Sequence, residues 1–427
     1  SPALVFNTGV FYVKGKGYYQ QYKADRKYSD YNITPLSTDV TRTDLVRQLW
    51  LDNHFYGTIF SVQHQTPKTG ITLGGSVSHY TGEHFGTVTW ADKGFKNAAR
   101  WYDNDAKKGD WNVYGKWQQA LAPQLQWFTD LQVRRVSYTA NGFRDNPTLN
   151  IDESYTFFNP KAGLSYTTDK ILVYASYSVA NKEPNRDDFE AGAAEMPRPE
   201  QLHDVELGVE GKSALFNWGA TLYYMNYKDQ LVLTGKINDV GAYTRTNIAK
   251  SYRAGIELQG GLALTNWLKL DANLALSRNR IQDFTEYIDA YDADFNFIGQ
   301  EQVYYKETDI SFSPDAVGAA SLTAKPIKAL ELSLLGKYVG SQYLDNTKND
   351  ARKLGAYYTQ DVRAIYTFSP FKIKSINIIG QVANIFNTLY EPNGYTFSYF
   401  YNSALTTENY YFPMAGTNWM IGLNIKL

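Results

Sequence analysis

Near the end of the chain Trp419, Ile421, Leu423, Ile425 and Leu427 alternate with Asn418, Met420, Gly422, Asn424 and Lys426. The same period sets Val205, Leu207 and Val209 against Asp204, Glu206, Gly208 and Glu210, and Ile256, Leu258 and Leu262 against Glu257, Gln259 and Gly261. It also sets Leu268, Leu270, Ala272, Leu274 and Leu276 against Lys269, Asp271, Asn273, Ala275 and Ser277. A period of two places successive side chains on opposite faces of an extended strand, so the pattern predicts strands with one apolar and one polar face.

Applied along the chain, the pattern predicts about sixteen strands: 4–22, 45–66, 70–82, 111–121, 125–141, 155–167, 171–180, 203–213, 216–233, 243–264, 267–283, 310–325, 329–344, 355–368, 375–389 and 417–427. Their connections alternate between very short turns, such as Thr167-Thr168-Asp169-Lys170 and Ser369-Pro370-Phe371-Lys372, and long polar stretches at about 23–44, 82–110, 181–202, 284–309 and 390–416. Every short turn follows an even-numbered strand. That sorting is the signature of an all-β, antiparallel, up-and-down transmembrane β-barrel, with turns on the periplasmic side and loops outside. A soluble sandwich has no reason to sort its loops by length.

Composition fits this medium. The chain has 427 residues, 43% hydrophobic and 20% charged, with 35 Tyr, 22 Phe and 9 Trp. No run approaches the roughly 18 apolar residues of a spanning helix, whereas barrel strands average to a polar score because half their residues are polar. Several predicted strands exceed the roughly 9–11 residues of a tilted span and should project beyond the outer leaflet. Trp111, Trp127, Trp218, Trp267 and Trp419 lie near strand ends, where an amphipathic ring suits the headgroup level. A net charge of -1 provides no basic field for nucleic acid, and the absence of Cys removes disulfides and thiolate chemistry. Ser1-Pro2-Ala3-Leu4 lacks a signal-peptide pattern, so the expectation is a mature or internal segment.

Particular stretches then resemble the barrel of TonB-dependent outer-membrane receptors. Pro160-Lys161-Ala162-Gly163-Leu164-Ser165-Tyr166 followed by Tyr174-Ala175-Ser176-Tyr177-Ser178 is similar to that family's hairpin. Pro199-Glu200 followed by Glu206-Leu207-Gly208 is similar to its next strand. Asn247 with Gly255, Glu257 and Leu258, and Val382-Ala383-Asn384-Ile385-Phe386-Asn387-Thr388-Leu389-Tyr390, resemble two further motifs. The family has a plug domain and about 22 strands. The resemblance therefore implies that residues 1–427 are the C-terminal portion of such a barrel, with the plug and first strands absent from this chain. The terminal Leu427 departs from the family's closing aromatic.

Chemistry-bearing clusters are few. Five His offer no catalytic spacing, and no enzyme activity and no cofactor is expected. His79, Glu83 and His84 have the residue types of a zinc site, but a strand end entering a polar loop is the plainer reading. Asp292, Asp294 and Asn296 have the 1, 3, 5 oxygen spacing of a calcium loop, but Phe297 stands where the sharp turn wants Gly, and a solvated acidic loop is the plainer reading. A haem receptor of this family resembles others in a Phe-Arg-Ala-Pro box; here the positions read Asn181-Lys182-Glu183-Pro184, leaving His203 as the one haem-ligand candidate. Tyr395, Tyr399, Tyr401, Tyr410 and Tyr411 in the outer loops, with His203, are the candidate ligand-binding residues, because rigid amphipathic rings stack on a flat ligand at small entropic cost; packing of the loop aromatics on each other accounts for the rings equally well.

The resemblance implies a multi-pass protein of the outer membrane of a Gram-negative bacterium. It implies active import of a scarce bulky nutrient, most readily an iron–siderophore complex, with haem and cobalamin behind. The implied partners are the TonB complex through the missing plug region, outer-membrane lipid, the barrel-assembly machinery and the chelate itself. A passive general porin, for which about sixteen strands make a complete barrel, is the alternative.

Overall fold

The computed structural model describes residues 4–97, 99–144, 146–191, 196–237, 243–370 and 373–426; Leu427 lies outside them. Its strands in chain order are β1 (Leu4–Lys27), β2 (Arg42–Gln65), β3 (Thr69–Ala91), β4 (Tyr102–Ala120), β5 (Leu125–Asn141), β6 (Asn150–Thr167), β7 (Ile171–Lys182), β8 (Glu200–Lys212), β9 (Phe216–Ile237), β10 (Tyr243–Ala263), β11 (Leu268–Tyr291), β12 (Phe297–Asp309), β13 (Ala316–Ile327), β14 (Leu330–Val339), β15 (Gln342–Tyr343), β16 (Lys353–Leu354), β17 (Tyr357–Phe368), β18 (Ser375–Ala383), β19 (Asn393–Tyr401), β20 (Ala404–Phe412) and β21 (Asn418–Lys426). All sixteen expected strands are present. The additional ones are β12, β15, β16, β19 and β20.

Nineteen strands belong to one sheet, and β15 pairs with β16 separately. By internal contacts the chain forms two compact units. One comprises Ser1–Ala120, Phe128–Lys161 and Asn185–Met196; the other comprises Leu121–Trp127, Ala162–Pro184 and Pro197–Leu427.

In the first unit β1 to β4 pair antiparallel in chain order. Their buried apolar residues gather toward the long-loop end: Tyr28, Tyr31, Ile33, Leu45, Val88 and Ala91 form one cluster. Ala106, Ala140, Phe143, Ile151 and Phe189 form another. Phe189 comes from the short helix α1 (Arg186–Ala191). Asn185 and Asp188 start α1 reciprocally, the Asn185 Oδ1 accepting from the Asp188 N–H at 3.0 Å and the Asp188 Oδ2 accepting from the Asn185 N–H at 2.7 Å.

The second unit shows why the period-2 reading works. Across β8, β9, β10 and β11, pairing aligns Leu207, Leu222, Ile256 and Leu276 in one row and Val209, Ala220, Leu258 and Leu274 in the next. The apolar face continues through Leu270 opposite Leu322, Leu322 opposite Leu334, Leu334 opposite Val362, Val362 opposite Val382 and Ile378 opposite Leu423. None of the described residues covers this face: Trp419 is 73% exposed, Ile421 71% and Leu423 64%. A continuous uncovered aliphatic face of this extent is one that water does not solvate. The opposite face carries Glu206, Glu257, Asp271, Asn273 and Asn424. Of the five Trp expected at the headgroup level, Trp111, Trp218, Trp267 and Trp419 are exposed, as such a belt requires, and Trp127 is half-buried.

Two stretches expected to be irregular are strand. The outer half of β11, Arg280–Tyr291, pairs with β12, whereas its inner half, Leu268–Leu276, pairs with β13. β19 and β20 form a hairpin rising between β18 and β21, which pair directly with each other. These segments alternate polar with polar or aromatic residues, because both their faces lie beyond the aliphatic belt. A search for an apolar face passes over them. For the same reason β3 and β4 extend well into the 82–110 stretch expected to be loop.

The motif at Val382–Tyr390 has a physical role. Asn384, buried and left-handed at φ 52°, donates through Nδ2 to the Thr388 carbonyl at 2.8 Å and accepts at Oδ1 from the Thr388 N–H at 2.9 Å. Its own N–H donates to Asp361 Oδ1 at 2.9 Å, and its carbonyl accepts from the Thr417 hydroxyl at 2.7 Å. One asparagine thus ends β18, ties it to β17 and fixes where β21 begins.

Candidate functional site

The β19–β20 hairpin presents two different faces. Tyr395, Phe397, Tyr399 and Tyr401 alternate along β19, and Tyr410 and Phe412 join them from β20. Tyr395 and Tyr410 stack at 4.8 Å with 8° between ring planes. Phe397 lies 6.0 Å from Tyr410 and 6.3 Å from Tyr399. The ridge continues onto the β11–β12 connection, where Phe295 stacks on Tyr401 at 4.7 Å. The other face is closed by polar pairs: Thr396 Oγ1 donates to Asn409 at 2.7 Å, and Ser398 and Thr407 hydroxyls meet at 2.8 Å.

Of the five tyrosines expected to bind ligand, Tyr395, Tyr399, Tyr401 and Tyr410 share this aromatic face. Tyr411 points to the opposite one, since it pairs with Gly394, one position out of phase. The Tyr399 and Tyr410 hydroxyls both donate to Glu408, at 2.9 and 2.5 Å. The bond from Tyr410 and then that from Tyr399 hold the Glu408 carboxyl below its ordinary pKa, and the same bonds raise both phenols.

His203 does not reach this ridge. It has the parity of Val205 and Leu207 on β8 and so stands on the apolar face, with its Nδ1 2.7 Å from the Tyr177 hydroxyl and its Nε2 3.2 Å from Gln201. Parity in the sequence already carried that signal. Parity likewise separates His79 from His84, which are five residues apart on β3 and point to opposite faces. The Asp292 carboxylate accepts from the N–H groups of Asp294 and Asn296, both at 2.9 Å, and from the Asn296 side chain at 3.1 Å. These bonds, led by the one from the Asn296 side chain, lower the Asp292 pKa. Its oxygens thus hold the turn closed. Among the described residues no three His, Cys, Asp or Glu converge as a metal site.

A feature the sequence did not reveal lies between β14 and β17. Leu344, Asp345, Asn346, Thr347, Arg352 and Leu354 are all buried in this nominal loop. Asn346 donates to the Leu233 carbonyl at 2.7 Å and accepts from the Ser311 N–H at 2.8 Å, and Asn409 donates to the Ala351 carbonyl at 2.7 Å. Arg352 Nη1 bonds Glu286 and Asp345 at 2.5 and 2.7 Å. Burial works to lower the Arg352 pKa, but the Asp345 and Glu286 carboxylates outweigh it and the value is raised. Tyr305, whose hydroxyl donates to Glu286 at 3.0 Å, is pushed up to about 12 by burial and by that carboxylate. The segment is a strap tying β9, β11 and the aromatic hairpin together.

Below the strap, on the polar face of the second unit, a cavity of about 920 Å³ is lined by Lys170, Glu210, Lys212, Asp271, Lys337 and Asp361 among others. Charges of both signs stand there among Ile171, Leu172, Trp218, Ala272 and Leu335, so the wall mixes charged and apolar surface.

A family model described as TonB dependent receptor-like, beta-barrel matches residues 4–387. Among solved structures the chain is similar to the copper transporter OprC, with a TM-score of 0.72 at 15% identity, covering 100% of this chain and 63% of that one. It is similar to the closed form of the ferric-catecholate import receptor Fiu from K12 E. coli, with 0.67, 14%, 100% and 62% for the same quantities. It is also similar to the siderophore receptor PiuA from Acinetobacter baumannii, with 0.66, 13%, 100% and 62%. At these identities the likeness shows the fold, and the chain spans somewhat less than two thirds of each neighbour. No curated protein matches it by sequence.

Proposed function

Because this chain belongs to the family of TonB dependent receptor-like β-barrels, we propose that it is the C-terminal part of the barrel of an outer-membrane active transporter whose cargo is an iron chelate. The complete protein then adds the plug and first strands, and through the plug engages the TonB complex and the proton-motive force. Leu207, Leu222, Leu274 and Leu423 face lipid; Glu206, Asp271 and Asn273 face the lumen.

The observation that carries the cargo assignment is the aromatic ridge from Tyr395 to Phe295, set at the long-loop end and held by the strap. Flat, partly polar groups of a chelate stack on such rings without immobilising flexible side chains. The passive porin draws no support from the family match or from neighbours that are transporters and import receptors.

Uptake of radiolabelled ferric chelates by cells carrying the complete protein tests the reading. Uptake should saturate, compete between related chelates and stop when a protonophore collapses the membrane potential. Non-saturating entry that survives the protonophore would establish a passive pore instead.

A further inference from the structure

Above the aliphatic rows on the apolar face of the second unit the residue types change in layers. Pairing aligns Val205, Tyr224, Ala254 and Arg278, then His203, Asn226, Tyr252 and Arg280, then Gln201, Lys228, Lys250 and Gln282, across β8 to β11. The rings of Tyr224 and Tyr252 stack at 5.9 Å. Lys228 and Lys250 are direct cross-strand partners, and both are exposed. Like charges set directly opposite each other repel.

Among the described residues nothing relieves this pair. Their row neighbours are the neutral Gln201 and Gln282, and neither lysine makes an ion pair among the described residues. The nearby carboxylates are engaged elsewhere: Asp229 with Arg198 at 3.1 Å, Glu307 with Arg278 and Arg280 at 3.4 and 3.8 Å, and Asp309 with Arg280. Lys228 stands twelve residues beyond the start of β9 at Phe216. At about 3.3 Å per residue and a tilt near 45°, that is roughly 28 Å along the membrane normal, just past the roughly 25 Å apolar band of an outer-membrane barrel.

We propose that this two-lysine, two-tyrosine surface binds the phosphate-bearing headgroup of an outer-leaflet lipid. The acyl chains lie along the Leu222–Ile256–Leu276 row, the tyrosines take the headgroup boundary, and the phosphate bridges the two ammonium groups. The inference rests on the outer-membrane reading above, and an assay with purified protein separates the two. The complete receptor in detergent is incubated with bis-phosphorylated lipid A or with the same lipid dephosphorylated, and bound lipid is counted by native mass spectrometry. Lys228→Gln with Lys250→Gln should lower retention of the phosphorylated lipid by about tenfold, whereas Lys228→Arg with Lys250→Arg should retain it. Heat-modifiable gel migration confirms that each variant is folded.

Equal retention by the glutamine pair, equal retention of the dephosphorylated lipid, or displacement by millimolar inorganic phosphate alone would each overturn the proposal. Membrane fractionation of cells tests the location independently, so a protein found elsewhere removes the outer-membrane reading whatever the lipid counts show.

Discussion

Arg352 places Nη1 2.5 Å from Glu286 Oε1, joining residues 66 positions apart in the chain. Arg352 is 3% exposed, and the same nitrogen holds Asp345 at 2.7 Å. The strap holds because this buried cation satisfies the buried Asp345 and the half-buried Glu286 at once.

Removing it should therefore loosen the strap before anything else. Arg352→Met leaves Glu286 and Asp345 facing each other without a cation, a loss of about 3–5 kcal/mol in a buried pair. Hydrogen exchange of amides in residues 342–354 should accelerate while β8 to β11 stay protected; unchanged exchange in the strap would show that its backbone bonds suffice.

The end of β18 offers a separate test. Asn384→Ala forfeits the side-chain bonds to Thr388 and keeps an unfavourable left-handed backbone, at about 2 kcal/mol or more. Asn384→Gly relieves the backbone and should recover part of the loss. Thermal unfolding in detergent distinguishes the two; identical loss in both would assign everything to the side-chain bonds.

Faces of the wall can be read by charge insertion. Leu274→Arg places a cation among Leu258, Leu276 and Gly318 near the middle of the span and should cost about 2–4 kcal/mol in a bilayer. Asn273→Arg, on the polar face, should cost much less. Equal losses would reverse or abolish the assignment.

Acid sensitivity follows from His84, whose pKa is lowered from 6.5 to about 4 by burial, with Arg186 adding repulsion. Between those values the unfolded chain binds a proton that the folded one does not, so stability falls as pH drops from about 6.5 to about 4 and is flat above. His84→Gln should flatten that window in pH-dependent unfolding, and a slope that persists undiminished would place its source elsewhere.

At the aromatic hairpin, Glu408 has a lowered folded pKa, so its contribution is present above the ordinary glutamate value, near 4.3, and is lost as pH falls through the lower folded value. The Tyr399 and Tyr410 phenols are raised by the same bonds. Glu408→Gln should bring two phenols forward in a spectrophotometric titration. If the titration is unaltered, the bonds to Glu408 do not persist in solution.

The amino-acid sequence by itself determined the wall. Period-2 alternation at residues such as Leu268 to Leu276 specifies two faces, and short turns such as Thr167–Lys170 specify direction, because both are local consequences of strand geometry and chain reversal. The parity that sets His203 on the apolar face with Val205 and Leu207 was equally legible, whereas that of Tyr411 was not, because its strand was not. Tertiary structure alone decided the rest. β12 and the β19–β20 hairpin have no aliphatic face to announce them, and Lys228 meets Lys250 only through strand register. Arg352 and Glu286, ordinary charged residues in polar stretches, become a buried clamp only when the folded wall brings their loops together, since desolvation and Coulomb attraction depend on distance in space and not on position in the chain.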